Sequence, residues 1–278
     1  MKRPNSCANL IKAINALTRD GDPVRLSRAM ANAIVGQLLP DGVVKGGSSL
    51  MFRYGADATR YTRDIDTARK MELAAYLERL EDALDAGWNG FTGTLAEVAP
   101  PRPRGVPRRY VMLPYDIKLS YRGRPWQTVR IEIGHNEIGD ADEAEGFLPD
   151  ELAEAFAALS FPVPEPLPVM GLAHQVAQKL HAVSEPGSER AHDLIDLQLI
   201  AGLSSLDLPD VRSKCERLFA YRRNQSWPPT IVAGENWSSV YEAALATIRE
   251  KGPILPTVAE AVDWANRLVA RIAAAVPE

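Results

Sequence analysis

Two hydrophobic periods run through this chain. Between Pro23 and Leu39 the apolar residues Val24, Ala31, Ile34, Val35, Leu38 and Leu39 fall mostly on one helical face, with Pro23 in a first-turn position behind Asp22. A shorter helix is predicted ahead of it, over residues 6–20. Pro40-Asp41-Gly42 ends the second helix, Val43-Val44 starts a short strand, and Lys45-Gly46-Gly47-Ser48-Ser49 predicts a glycine turn. The period then changes to two. Arg63–Thr67 alternates as a strand with Ile65 between two aspartates, and residues 69–86 return to an amphipathic helix closed by Gly87. Tyr110–Tyr121 and Trp126–Gly134 predict two strands of a hairpin around Arg122-Gly123-Arg124-Pro125, one face of which carries Arg130, Glu132 and Gly134.

After an acidic helix near residues 148–159, Phe161-Pro-Val-Pro-Glu-Pro-Leu-Pro168 predicts a stiff, extended linker. Everything beyond it has helical spacing, over about 171–184, 188–201, 206–222, 236–250 and 256–275. The expected class is therefore α+β: a mixed-sheet domain over residues 1–160 and an all-helical domain over 161–278. A length of 278 residues with 46% apolar and 24% charged positions fits two domains or one large one. No apolar run approaches the roughly 20 residues of a membrane span, and the basic start MKRP lacks the apolar region of a secretion signal. Cys7 and Cys215 suggest neither a disulfide framework nor a metal knuckle, and His135, His174, His181 and His192 lack zinc spacing. These features lead us to expect a cytoplasmic protein with no membrane association.

Charge is unevenly spread under a net −4. Arginines and Lys118 crowd the stretch from Arg102 to Arg130, no Lys or Arg occurs from Ile131 to Gln178, and a second basic group comprises Arg212, Lys214, Arg217, Arg222 and Arg223. Such polarity permits a polyanion-binding face, and equally a set of ordinary solvated arginines.

The triplet Asp64-Ile65-Asp66 carries the most chemistry. On a strand, residues i and i+2 share a face, so both carboxylates can converge while Ile65 packs inward. Neighbouring carboxylates repel unless a cation or proton lies between them, and Mg²⁺ is commonly held by a few carboxylates plus substrate phosphates. Taken alone, the same spacing is common on solvated strands. Upstream, the strand running into Gly46-Gly47-Ser48 lets backbone N–H groups and the Ser48 hydroxyl approach phosphate oxygens, although it lacks the spacing of a Walker A loop or a dinucleotide fingerprint.

Lys45–Leu50 followed by Tyr61-Thr62-Arg63-Asp64-Ile65-Asp66 resembles the first motif of the nucleotidyltransferase superfamily. The narrower resemblance is to the AbiEii/AbiGii toxin family, which includes the mycobacterial MenT toxins. It rests on His174-Gln-Val-Ala-Gln-Lys179-Leu-His-Ala182, similar to that family's lysine helix, and on Arg190-Ala-His-Asp193-Leu-Ile-Asp196-Leu197, similar to its R-D-x-x-D helix. The order and approximate distances of these blocks match over roughly residues 10–250, with Arg53–Thr59 reading as an inserted loop.

The resemblance implies a nucleotidyltransferase-like sheet domain and a helical domain that completes the active-site cleft. It implies catalytic roles for Asp64, Asp66, Lys179, Asp193 and Asp196, with Gly47, Ser48 and Lys179 on the nucleotide. Asp64 and Asp66 would hold Mg²⁺ (or Mn²⁺), with Glu132 as third carboxylate and Asp116 as runner-up. Either Asp193 or Asp196 would face the nucleotide. The implied reaction moves NMP from an NTP to an acceptor, foremost the 3′ end of tRNA, which blocks translation; a cognate antitoxin would be the partner. The basic segments Arg102–Arg109, Arg122–Arg124 and 212–223 would then follow RNA phosphates. The competing readings are a related enzyme that modifies a protein or small molecule, and a module that binds NTP or antitoxin without transfer.

Overall fold

A computed structural model describes residues 2–18, 22–100, 111–250 and 252–276. The basic stretch Arg102–Arg109 and the predicted strand start at Tyr110 lie outside the described residues. By internal packing the chain forms two units, Met1–Ala56 with Thr62–Val169, and Asp57–Tyr61 with Met170–Glu278.

In the first unit, α1 (Cys7–Leu17) and α2 (Pro23–Leu38) precede the sheet. Asp22 caps α2 by accepting from the Val24 and Arg25 N–H groups at 2.9 and 3.2 Å, and Pro23 occupies a position where no N–H is needed. Its Met30, Ala31, Ile34 and Val35 are fully buried. Strand β1 (Gly42–Lys45) leads directly into α3 (Gly46–Tyr54), so the predicted glycine turn is in fact the first turn of a helix. Gly46 makes that transition at φ +65°, a backbone angle that favours glycine. Strand β2 (Asp64–Arg69) and helix α4 (Leu73–Ala86) follow, the helix ending at Gly87 as expected.

Seven strands complete a mixed sheet of order β3-β4-β5-β2-β1-β7-β6. The remaining five are β3 (Phe91–Glu97), β4 (Leu113–Tyr121), β5 (Arg124–His135), β6 (Ala144–Phe147) and β7 (Leu167–Met170), with α5 (Asp150–Ala158) before β7. The central neighbours pair β1 with β2 antiparallel and β2 with β5 parallel. Ile65, Ile131 and Ile133 are buried in the core, while the residues that alternate with them stay polar. Three features depart from expectation. Strand β3 pairs along β4 although its Phe-Thr-Gly-Thr pattern is weak. The proline-rich linker ends in a strand between β1 and β6, with Val169 beside Val44; its pairing with β1 is a single parallel register position, so few ladder hydrogen bonds are asked of its prolines on that side. The supposed inserted loop is divided: Arg53 and Tyr54 finish α3, and Asp57–Tyr61 belong to the helical unit.

That helical unit contains α6 (Leu172–Ser184), α7 (His192–Leu203), α8 (Leu208–Arg222), α9 (Trp237–Leu245) and α10 (Val258–Ala274). Helix α7 is apolar nearly all round and is buried from Asp193 through Gln198 to Ile200, as a central helix must be. Helices α6, α9 and α10 all pack on it. Residues 57–61 are tied in by the Tyr61 N–H, which donates to Thr247 Oγ1 at 2.9 Å, and by the Asp57 carbonyl, which accepts from the Arg249 and Glu250 N–H groups at 3.0 Å.

Ile65 is fully buried between the two aspartates, so Ile65→Ala removes core packing from the middle of β2. A urea titration should show a loss of about 2–5 kcal/mol.

Candidate functional site

Register decides what the sheet unit presents. Asp64 and Asp66 share a face of β2, and the parallel pairing with β5 sets Asp64 opposite Arg130 and Asp66 opposite Glu132. On the other side Lys45 of β1 is opposite Asp66. Three carboxylates and two cations therefore occupy one face of three adjacent strands. Asp64 is exposed, and Asp66 and Glu132 are half-buried. Arg130 is drawn outward: its Nε donates to Asp116 Oδ1 at 2.6 Å. That bond, with Asp116, Asp64 and Glu132 nearby, raises the guanidinium pKa further. Asp116, the runner-up for third carboxylate, is thus occupied by Arg130, whereas Glu132 is the cross-strand neighbour of Asp66.

The start of α3 closes against this face. A Cβ at Gly46 would collide with Asp66 Oδ2, so the glycine lets the carboxylate lie directly at the helix N-terminus, where the peptide dipoles favour negative charge. Lys45, the residue ahead of α3, makes no side-chain capping hydrogen bond. Ser48 is fully buried, and its hydroxyl donates to the Asp64 backbone carbonyl at 2.6 Å. The sequence suggests this hydroxyl for a phosphate; instead it fastens α3 to β2, because a helix starting at Gly46 turns Ser48 inward. What Gly47 and Ser48 can offer a phosphate is their N–H groups in the first turn.

A second polar cluster is buried in the helical unit. Lys179 of α6 is 5% exposed, and its Nζ lies 3.0 Å from Asp193 Oδ1 and 2.6 Å from Asp196 Oδ2. Arg60 grips Asp196 with two groups, Nε at 3.0 Å from Oδ1 and Nη2 at 2.9 Å from Oδ2. Arg190 Nε reaches Asp193 Oδ2 at 2.6 Å. Burial alone would push both carboxyls up; Lys179 and Arg190 at Asp193, and Arg60 and Lys179 at Asp196, overcome it and hold both below the usual carboxylate range. Burial also works against a charged Arg60, yet Asp196 raises its pKa overall. Burial depresses His192 to about 4, with Arg60 and Arg190 adding to the effect against the opposing pull of Asp193.

The sequence-derived site residues thus form two groups: Gly47, Ser48, Asp64, Asp66 and Glu132 in the sheet unit, and Lys179, Asp193 and Asp196 in the helical unit. Asp193 and Asp196 share one ammonium. Two partners escaped the sequence reading. Arg60 sits just outside the D-x-D motif, and only its chain position 136 residues before Asp196 hides the pairing. Lys45 is 7% exposed and extends over β5, where a Cβ on Gly134 would sit 3.1 Å from its Nζ. Its place beside Asp66 is set by the antiparallel register of β1 and β2, which no local pattern shows.

The family model described as nucleotidyl transferase AbiEii toxin, type IV toxin–antitoxin system, matches residues 28–266. The chain belongs to this family. MenT4, a nucleotidyltransferase toxin from Mycobacterium tuberculosis H37Rv, is similar at 17% identity and a TM-score of 0.49, over 98% of this chain and 99% of that one. JHP933 from Helicobacter pylori is similar at 15% identity and a TM-score of 0.44, over 88% and 89%. No curated protein matches the chain. The AbiEii match spans both polar groups, so each lies in the part of the chain that defines the family.

Among the described residues of this AbiEii-family chain, no group of three His, Cys, Asp or Glu side chains is gathered tightly enough to hold a metal by itself, and no helix is long and apolar enough to cross a membrane. Asp64 and Asp66 on one face, with Glu132 beside Asp66, fit a hard cation whose remaining ligands are substrate oxygens or water.

The buried cluster makes stability pH-dependent in two stages. His192 holds a proton less tightly folded than unfolded, so stability falls as pH drops from about 6.5 to about 4, by roughly 1 kcal/mol per pH unit. Asp193 and Asp196 are depressed, so their contribution is present above 3.8 and is lost as pH falls below it. Urea midpoints for wild type and His192→Gln across pH 3–8 check this, the variant losing the first stage and keeping the second. At pH 7, Asp196→Asn leaves Arg60 and Lys179 short of a counter-charge and should cost about 3–5 kcal/mol.

Proposed function

We propose that this chain is the toxin of a toxin–antitoxin pair and transfers NMP from an NTP to the 3′ end of tRNA, releasing pyrophosphate. The action is cytoplasmic and blocks translation, and a cognate antitoxin protein restrains it. The observation that supports this most is the meeting of Asp64, Asp66 and Glu132 on one strand face with the glycine-led N-terminus of α3. Carboxylates for a cation and N–H groups for a phosphate adjoin each other there.

In this reading Asp64, Asp66 and Glu132 hold Mg²⁺ (or Mn²⁺). Bound there, the ion would offset negative charge on the α-phosphate and the departing pyrophosphate. Ser48 fixes the Asp64 backbone through its 2.6 Å hydrogen bond, which limits how far that carboxylate can wander. The first-turn N–H groups at Gly47 and Ser48 bind phosphate oxygens. One carboxylate near the acceptor would orient the attacking hydroxyl or accept its proton.

Lys179, Asp193 and Asp196 form the second part of the proposed machinery. Lys179, Arg60 and Arg190 bring three positive charges against the two carboxylates of Asp193 and Asp196. That excess suits a polyphosphate, with Lys179 as the cation toward it and the aspartates setting its position.

Total bacterial tRNA, Mg²⁺ and each α-³²P-labelled NTP in turn test the proposal, beside Asp64→Ala and Asp66→Ala. The expected result is label at the tRNA 3′ end with wild type, and none with either variant. Label on protein or a small acceptor instead would keep the transfer chemistry and remove tRNA. Folded protein that binds NTP but transfers nothing would make the chain a binding module.

A further inference from the structure

Helix α8 ends in a groove that the nucleotidyl-transfer residues do not use. It has a volume of about 640 Å³ and is lined by Phe219, Arg223, Asn224, Gln225 and Trp227 among others. Its floor is fixed. Phe219 is 2% exposed and packs edge-on against His181. Gln225 donates to the His181 carbonyl at 2.6 Å and accepts from the Ser184 hydroxyl at 2.8 Å. Trp227 stands on this floor at 68° to Phe219, with centroids 5.3 Å apart, and is only half-buried.

The rim is unusual for a helix end. Arg223 caps α8 at φ +58°, its N–H donating to the Phe219 carbonyl at 3.0 Å. Glycine normally fills this left-handed position, because a side chain there is strained. Arg223 is exposed there, next to the exposed Asn224. Local charge favours an anion. Residues 208–227 carry five basic side chains, Arg212, Lys214, Arg217, Arg222 and Arg223, and two acidic ones, Asp210 and Glu216, in a chain of net charge −4. Glu216, the acidic residue of the lining, is already paired with Arg212 at 2.7 Å.

We propose that this groove binds one unpaired nucleotide of a single-stranded RNA segment, its base stacked on Trp227 and its phosphate on Arg223. A half-buried indole, a guanidinium and an amide are the groups that recognise an unstacked base and its backbone. A groove of about 640 Å³ has room for one nucleotide. The fixed floor holds the indole in place, which favours affinity. The inference rests on the RNA-acceptor reading above for its purpose, and names a contact which that reading does not contain.

Binding of a fluorescein-labelled single-stranded oligoribonucleotide to the full chain, read by anisotropy without NTP, tests it. Arg223→Gly is the decisive variant, since glycine suits φ +58° and should leave thermal stability equal or higher. We expect it to weaken binding several-fold and to lower the slope of log K against log salt by about 0.7, the loss of one single-strand phosphate contact. Trp227→Ala should weaken binding roughly 10-fold, and Trp227→Phe should recover most of it. Unchanged RNA affinity in folded Arg223→Gly and Trp227→Ala would overturn the proposal. So would wild type that binds no RNA, or variants that lose a protein partner while keeping RNA. Pyrophosphate release by the same preparations judges transfer separately: transfer intact with RNA binding unaffected removes the groove alone, and no transfer to any acceptor removes the function.

Discussion

Three like charges on neighbouring strands are the constraint around which the sheet unit is organised. Asp64, Asp66 and Glu132 share one face of two adjacent strands, where their like charges repel unless they are compensated. Each neighbouring element supplies part of it. The N-terminus of α3 turns its peptide dipoles toward Asp66, and Gly46 is the residue that permits the approach. Lys45 and Arg130 flank the carboxylates on the outer strands of the trio. Even the buried Ser48 serves this arrangement by fastening the Asp64 backbone. What remains is residual negative charge on the exposed side of these strands.

The helical unit solves the opposite problem. Two aspartates lie on α7, a helix otherwise apolar enough to be the centre of a bundle, and both are almost wholly withdrawn from water. Ion pairs at such depth contribute little net stability over apolar packing, but removing one partner is costly. Lys179, Arg60 and Arg190 are therefore bound tightly to their positions by the aspartates. Arg60 has an additional consequence: it draws residues 57–61 into the helical unit, although the chain on both sides belongs to the sheet. The segment immediately before the D-x-D strand is thereby anchored by the same aspartates that hold Lys179.

Much of this was visible in local pattern. Period-two alternation around Ile65 placed Asp64 and Asp66 together, and the hairpin put Glu132 on a strand, because both are consequences of geometry within a few residues. The family resemblance selected Lys179, Asp193 and Asp196 from among many surface-like charges. Long-range pairing was not legible. Nothing local sets Asp66 beside Glu132 or Arg60 beside Asp196, since those neighbours are fixed by strand order and by packing on α7. The glycine turn was misread for a related reason: Gly46-Gly47 discourages a helix by propensity, and burial of Ser48, Leu50 and Phe52 against the sheet overrides it. The proline-rich segment likewise hid β7, because prolines argue against a strand except where few ladder hydrogen bonds are required.

The account stands or falls on phosphorus chemistry at the carboxylate face. The most direct measurement is the stoichiometry of pyrophosphate formed to nucleotide joined, with purified chain, Mg²⁺, NTP and RNA acceptor. One pyrophosphate for each nucleotide incorporated, abolished together by Asp66→Asn, is the predicted result. Orthophosphate as the product, or incorporation that persists without the Asp66 carboxylate, would contradict it.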